Sequence, residues 1–294
     1  MTDRRRLVRV PATSANLGPG FDVFAAALAL HLELEVSETD GFSVDTGGDE
    51  LPTDRTNLCV QAFEALHPAD GVRFEIRSEI PLARGLGSSA AAIVAGLMAA
   101  DHMFELALSR EDIYAKAVEI EGHPDNVAAA LYGGFALCPR PEADGLPAPV
   151  RLEPPQGIEA VVVIPGEEVP TSEARAALPA DVPFSDAVDN VAAASQLALG
   201  IERFDLALIR RGLADRLHQP HREPLYPRSM ELVRGAQGMG ALGATISGAG
   251  PTVLVWSFWQ DTGSVVAAVE KAVGDWAEVQ RVPFSPMGAD VPEL

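Results

Sequence analysis

Residues 81–91 read Pro-Leu-Ala-Arg-Gly-Leu-Gly-Ser-Ser-Ala-Ala, and these residue types suit one task, the holding of phosphate. Gly85 and Gly87 let the chain turn sharply and approach a ligand closely. Ser88, Ser89 and a small-residue run beginning at Ala90 and Ala91 then read as a helix N-terminus, where free N–H groups and the helix dipole attract anions. Two hydroxyls are aimed into that cradle. No Gly-Lys-Ser/Thr follows, so this is not a Walker loop. The third glycine of a dinucleotide fingerprint is also missing.

Other segments carry polar groups of mixed chemistry. Pro11–Asp22 places Asn16 and Asp22 among Gly and Pro, directly after a strand-like Leu-Val-Arg-Val. Loops at strand ends collect binding residues, although a tight turn whose Asn and Asp satisfy their own backbone explains the same pattern. Glu119–Asn126 brings Glu121, His123, Asp125 and Asn126 together at the end of a helical pattern. A carboxylate there could hold Mg²⁺, which takes oxygen ligands and keeps waters and phosphates in its shell. Solvated helix glutamates and a capping aspartate are the plainer account, and it is preferred for Glu119. No second histidine sits at metal spacing, which disfavours zinc. Further on, Thr171–Arg175 and Pro220–Arg222 supply arginines suited to carboxylate or phosphate. Gly243–Thr252 packs glycines and Ser247 between two strand-like runs. It reads either as a hairpin turn or as backbone that approaches a ligand or the first glycine loop. His218 and His221 are taken as ordinary histidines.

These groups need a scaffold. Strand patterns cover Leu7–Pro11, Leu32–Ser37, Val72–Arg77, Phe135–Cys138, Ala160–Pro165, Ala244–Ser247, Val253–Phe258 and Ala277–Val282. Helical patterns cover Asn57–Leu66, Ser88–Phe104, Arg110–Glu121, Asp125–Tyr132, Ser172–Ala177, Ser185–Ala198, Phe204–Arg210, Arg228–Gln237 and Thr262–Val273. Ser109 and Ser185 each precede acidic residues and read as caps. The mixing lacks a strict βαβ rhythm and predicts an α+β fold. The Pro- and Gly-dense stretch Pro139–Gly157 is the expected boundary between domains 1–150 and 151–294.

The chain has 294 residues and a net charge of −20, with Lys116 and Lys271 its only lysines. Such a surface repels nucleic acid and anionic membranes. A solvated acidic surface is the plain account, and a high-salt habitat would also account for it, since screening tolerates the self-repulsion. Apolar runs are too short or too small-residue to span a bilayer. Polar Thr13, Ser14 and Asn16 stand where an export signal would be apolar. Cys59 and Cys138 fit a reducing compartment better than a disulfide framework. The expected location is cytoplasmic.

The order of the three glycine- or polar-rich segments, from Val8 to about Phe258, resembles the GHMP kinase superfamily. Within it, Thr13–Phe24, Glu121–Val127 with Gly133-Gly-Phe135, Thr171-x-x-x-Arg175 and Pro220-x-Arg222 are similar to homoserine kinases. The resemblance implies an N-terminal domain with a left-handed βαβ crossover and a ferredoxin-like C-terminal domain, with the site between them. It implies ATP-dependent phosphorylation of the L-homoserine hydroxyl, a step towards threonine. By position, Pro81, Leu82, Ala83, Arg84, Gly85, Leu86, Gly87, Ser88, Ser89, Ala90 and Ala91 would wrap the triphosphate. Ser89 and Glu121 would hold Mg²⁺, with Glu119 the other glutamate to weigh. Asn16, Asp22, His123, Asp125, Arg175 and Arg222 would surround the amino acid, and Asn126, Thr171 and Arg175 would lie near the reacting groups. No dedicated base is implied, so positioning and charge would carry the transfer. Family members are often dimers, which leaves a homodimer open. A kinase of mevalonate or shikimate type, and a non-catalytic binding protein on the same fold, are the competing readings.

Overall fold

The computed structural model describes residues 4–48, 51–143 and 145–293. Two long strands, β1 (Arg5–Ala15) and β2 (Phe24–Glu38), pair antiparallel along their whole length, with a register shift between Pro11 and Ala12. The outer half of β1 alternates, with Val8 and Val10 buried and Arg9 exposed, as a half-covered strand should. Its inner half, Pro11–Ala15, is buried on both faces. The sequence pattern stops at Pro11 because Ala12–Ala15 and Ala25–Ala29 carry few of the β-branched or aromatic residues that mark a strand.

β3 (Ser43–Asp45), α1 (Leu58–Glu64) and β4 (Val72–Ser78) form a parallel βαβ unit, and β4 also pairs with β2. Three helices follow: α2 (Ser88–Phe104), α3 (Arg110–Glu121) and α4 (Pro124–Tyr132). α2 is buried almost all round, as its Ala and Gly content allows. A Cβ on its Gly96 would lie 2.2 Å from the Cys59 carbonyl oxygen, so glycine lets α1 sit against it. α3 opens on the expected Ser109 cap, completed by Asp112 into a capping box. β5 (Phe135–Leu137) and β6 (Val150–Leu152) extend the first sheet, whose order is β3-β4-β2-β5-β6 with β1 on the other edge of β2. β6 lies inside Pro139–Gly157, so the first sheet reaches Leu152.

The remainder runs β7 (Ile158–Pro165), α5 (Thr171–Ala176), α6 (Phe184–Arg203), α7 (Leu206–Gly212), α8 (Gln219–Arg222), α9 (Pro227–Gly235), β8 (Gly243–Ile246), β9 (Val253–Phe258), α10 (Thr262–Val273) and β10 (Ala277–Val282). Its sheet order, β10-β7-β9-β8 with every pair antiparallel, is ferredoxin-like. Val161, Val163, Val253 and Val255 on one face pack against α9 and α10 in a core of their own. On the other face Ala160, Val162, Leu254 and Trp256 join the core of the first sheet. Trp256 stacks obliquely on Phe135 and Phe284, and the chain's last stretch bridges back at Phe284–Leu28 and Asp290–Arg9. The two halves share one core and leave a cleft between them.

One cap reading and one helix boundary need correction. Ser185 lies inside the first turn of α6, with Pro183 at the cap position and no side-chain cap bond. Proline's fixed backbone starts that helix earlier than the serine suggests. Phe204 is left-handed and ends α6, and the Asp205 carboxylate then caps α7 by accepting from Ala207 and Leu208 N–H. α8, absent from the sequence reading, is four residues long and too short for periodicity. Among the described residues no helix is long and apolar enough to cross a membrane, and Cys59 and Cys138 are buried free thiols.

Candidate active site

The cleft between the halves has a volume of about 310 Å³. One wall is the glycine loop. Gly85 (φ +80°) and Gly87 (φ +70°) are both left-handed, and Gly87 caps α2 without help from any side chain. The first helical bond runs from Ala91 N–H to the Gly87 carbonyl, so the preceding N–H groups lack helix partners and face an anion-binding position. Space is as restrictive as φ. A Cβ on Gly85 would lie 2.3 Å from the Ser247 carbonyl oxygen, and one on Gly87 would lie 1.9 Å from Thr13 Oγ1. The Gly243–Thr252 segment carries the hairpin turn between β8 and β9, and that turn also approaches the first glycine loop, so both readings of it hold. Ser247 Oγ–H also donates to the Gly85 carbonyl at 2.6 Å.

Ala83, Gly85, Gly87, Ser88 and Ser89 line the cleft, whereas Pro81, Leu82, Arg84, Leu86, Ala90 and Ala91 do not. Leu86, Ala90 and Ala91 are core side chains. Arg84 turns away to donate to the Gly166 carbonyl at 2.8 Å and to pair with Glu168 at 3.0 Å. The loop's single cation therefore ties it to the segment leading into α5.

Glu121, the last residue of α3, reaches across to Ser89, whose hydroxyl donates to it at 2.6 Å. Burial raises the pKa of this carboxyl and the serine hydrogen bond partly offsets that. Glu119 points outward and pairs with Lys116. His123 occupies the N-cap position of α4 without a side-chain cap bond, and burial and the Arg175 charge lower its pKa against the pull of Asp22. Asn126 accepts from Thr13 Oγ1–H at 2.7 Å, which binds α4 to β1 directly beneath Gly87.

Asp125 is 3% exposed. Burial pushes its pKa up to about 7, opposed by the Asn126 N–H that it accepts at 2.7 Å. A carboxyl raised from 3.8 favours the folded state below its unfolded value, and that advantage is lost as pH rises through about 7. Asp125→Asn is therefore expected to melt higher than the parent above pH 7, with the gain shrinking towards pH 4. A gain independent of pH in thermal melts would refute this.

The same cleft is also lined by Asp22, Arg175 and Arg222. Asn16 (φ +71°), Leu17 (φ +48°) and Asp22 (φ +57°) are left-handed non-glycine residues in one short loop, a clustering of strain typical of functional sites. Asn16 holds the loop shut. Its amide donates to the Gly248 carbonyl at 2.9 Å and accepts Asp22 N–H at 3.0 Å. Arg175 forms a two-pronged pair with Asp22 at 2.6 and 3.2 Å. Thr171 opens α5 at the cleft edge. Arg222 is buried, donating from Nε to Ala174 O at 2.9 Å and from Nη1 to Gly248 O at 3.1 Å. Phe21 lies 5.3 Å from each guanidinium. Burial lowers the pKa of Arg222, chiefly by desolvation.

The sequence-selected polar residues thus gather around one cleft, and three contributors escaped that reading. Phe21 stood inside a quoted motif without a role. Asn190, buried in α6, donates to Pro19 O at 2.7 Å and supports the same loop. His218 is fully buried beside Arg222. No pattern marks a buried polar residue on its own, and only its partners in space reveal it.

In this arrangement an anion cradle and a carboxylate–hydroxyl pair face a site with both acidic and guanidinium groups. A phosphate-bearing donor and a small zwitterion fit those two ends. Residues 57–134 match the GHMP kinases N terminal domain, and residues 197–277 match the GHMP kinases C terminal domain. A homoserine kinase of Thermus thermophilus is 43% identical over 251 residues, covering 83% of this chain and 84% of that protein. One from Prochlorococcus marinus is 38% identical over 289 residues, covering 94% and 91%. The crystal structure of homoserine kinase from Cytophaga hutchinsonii superposes with a TM-score of 0.88 at 31% identity, covering 99% and 98%.

Proposed function

The chain belongs to the homoserine kinases of the GHMP kinase family, and on that footing we propose which of its residues carry the transfer of phosphate from ATP to the hydroxyl of L-homoserine. The carrying observation is that the glycine loop, the Ser89–Glu121 pair, Arg175 and Arg222 line a single cleft. The loop backbone from Gly85 to Ser89 cradles the triphosphate. Asp125 and Asp22 meet the ammonium of the acceptor. Arg175 Nε is buried without an acceptor among the described residues, and Arg222 lines the cleft beside it. Together they receive the acceptor carboxylate, which a guanidinium can hold with two parallel bonds.

Ser89 and Glu121 fit Mg²⁺. They offer one carboxylate and one hydroxyl, already 2.6 Å apart, and such an ion takes its remaining ligands from water and phosphate. When bound, Mg²⁺ neutralises charge on the transferring phosphate. Asn126 and Thr171 border the space between donor and acceptor and orient the hydroxyl. The resemblance to homoserine kinases implies no dedicated base, and on that reading the hydroxyl proton leaves late, towards phosphate oxygen or water. We place the enzyme in the cytoplasm.

A panel of alcohols in a coupled ADP-release assay tests this reading. Homoserine is expected to be turned over far faster than mevalonate or shikimate. Turnover of mevalonate without homoserine would overturn it.

A further inference from the structure

His218 contacts both halves of the acceptor site. Its Nε2 lies 2.8 Å from the carbonyl oxygen of Gly18, in the strained loop that ends at Asp22. Its Nδ1 lies 3.3 Å from Arg222 Nη1. A carbonyl can only accept and a guanidinium can only donate, so the hydrogen must sit on Nε2 and the lone pair on Nδ1. Asp215, whose side chain is also fully buried, lies 3.6 Å from Nε2 and supports the same tautomer. Asp215 also accepts the N–H groups of His218 and Gln219, which holds the start of α8 in place. The imidazole therefore has one state compatible with all its neighbours.

That state determines how Arg222 is presented. Nε is committed to Ala174 O, and the two Nη1 hydrogens to Gly248 O and His218 Nδ1. Apart from the buried Tyr226 hydroxyl, which interacts with this guanidinium, Nη2 has no partner of its own like those of Nε and Nη1 among the described residues, and Arg222 lines the cleft. Through Gly18 the same ring fixes the loop that presents Asp22, and Phe21 of that loop lies 5.3 Å from the ring. We propose that His218 is a positioning residue for the acceptor: its Nε2–H tautomer orients Arg222 towards the acceptor carboxylate and holds Arg222 and Asp22 at a fixed separation. The inference rests on the reading that Arg222 receives that carboxylate.

Two near-isosteric variants separate the roles. His218→Asn places a side-chain oxygen near the Nδ1 position and keeps an acceptor for Arg222. His218→Gln places an amide nitrogen near the Nε2 position and keeps the donor to Gly18 but loses the acceptor. His218→Gln is expected to raise the homoserine KM about tenfold or more, since it strands a buried donor. His218→Asn should raise it less, and the ATP KM should move less than about twofold in either. Equal homoserine KM values for the two variants, or homoserine and ATP KM values rising together, would overturn the proposal. ¹⁵N NMR of the wild-type histidines tests it without substitution. The expected signature is an Nε2–H imidazole that persists on homoserine binding, and an Nδ1–H form or an imidazolium in the bound state would overturn it. If the wild type fails to phosphorylate homoserine, the reading of the site has failed. If it does so while the variants behave alike, only the role of His218 has failed.

Discussion

Glu121→Gln is expected to lower kcat by on the order of 10²–10³-fold while changing homoserine binding only a few-fold. Glutamine has the same shape and can still accept the Ser89 hydroxyl, which donates to Glu121 at 2.6 Å. The variant loses only the charge that would hold a cation against the transferring phosphate. Because burial already raises the pKa of Glu121, its charged form costs the free protein stability above the ordinary carboxyl range. Removing the charge should therefore leave the melting temperature at pH 8 unchanged or higher, which separates lost chemistry from lost folding. The Mg²⁺ concentration needed for half-maximal activity should rise in parallel. Undiminished turnover would remove Glu121 from the metal role. Glu119 is poorly placed to replace it, being exposed and paired with Lys116.

The same residue shows what the sequence could and could not convey. Spacing placed Glu119 and Glu121 at the end of one helix, where periodicity cannot choose between them. The choice depends on the direction of each side chain, and residues two apart on a helix point to different faces. The glycine loop was legible because its signal is local: backbone freedom followed by a helix start. Asp22, Arg175 and Arg222 were legible as residue types, but their grouping depends on the return of the chain between two sheets. His218 and Asn190 were not legible because buried polar residues act through partners far away in sequence, Gly18 and Pro19. Short β3, β6 and α8 escaped for the opposite reason, since three or four residues are too few to show a period. The Ala-rich inner halves of β1 and β2 were missed because packing by α2 and α4, rather than strand propensity, makes them strands.

Gly87→Ala tests the loop by adding a single methyl group. The new Cβ would lie 1.9 Å from Thr13 Oγ1 and 3.0 Å from Asn126 Oδ1, and those two atoms are held to each other at 2.7 Å. Neither can withdraw without breaking a bond that joins β1 to α4. The left-handed backbone adds about 1–2 kcal/mol for a residue with a side chain, and overpacking adds about 1–3 kcal/mol. The cheapest escape is for the loop to swing away, which displaces the N–H groups offered to phosphate. The kcat/KM for ATP is therefore expected to fall about 100-fold or more, in keeping with the sensitivity of phosphoryl transfer to small displacements. Thr13→Ala in the same chain removes the colliding hydroxyl and leaves the backbone cost with two lesser contacts, to Asn126 Oδ1 at 3.0 Å and to Cβ of residue 13 at 3.2 Å, so the double variant should recover part of the lost kcat/KM. Thr13→Ala alone should be milder than Gly87→Ala, because it loses a hydrogen bond without moving the loop. An active Gly87→Ala enzyme, or a double variant no better than the single, would mean that the collision is not what fixes the loop. The close fit of Gly87 over Thr13 and Asn126 would then be incidental to phosphate binding.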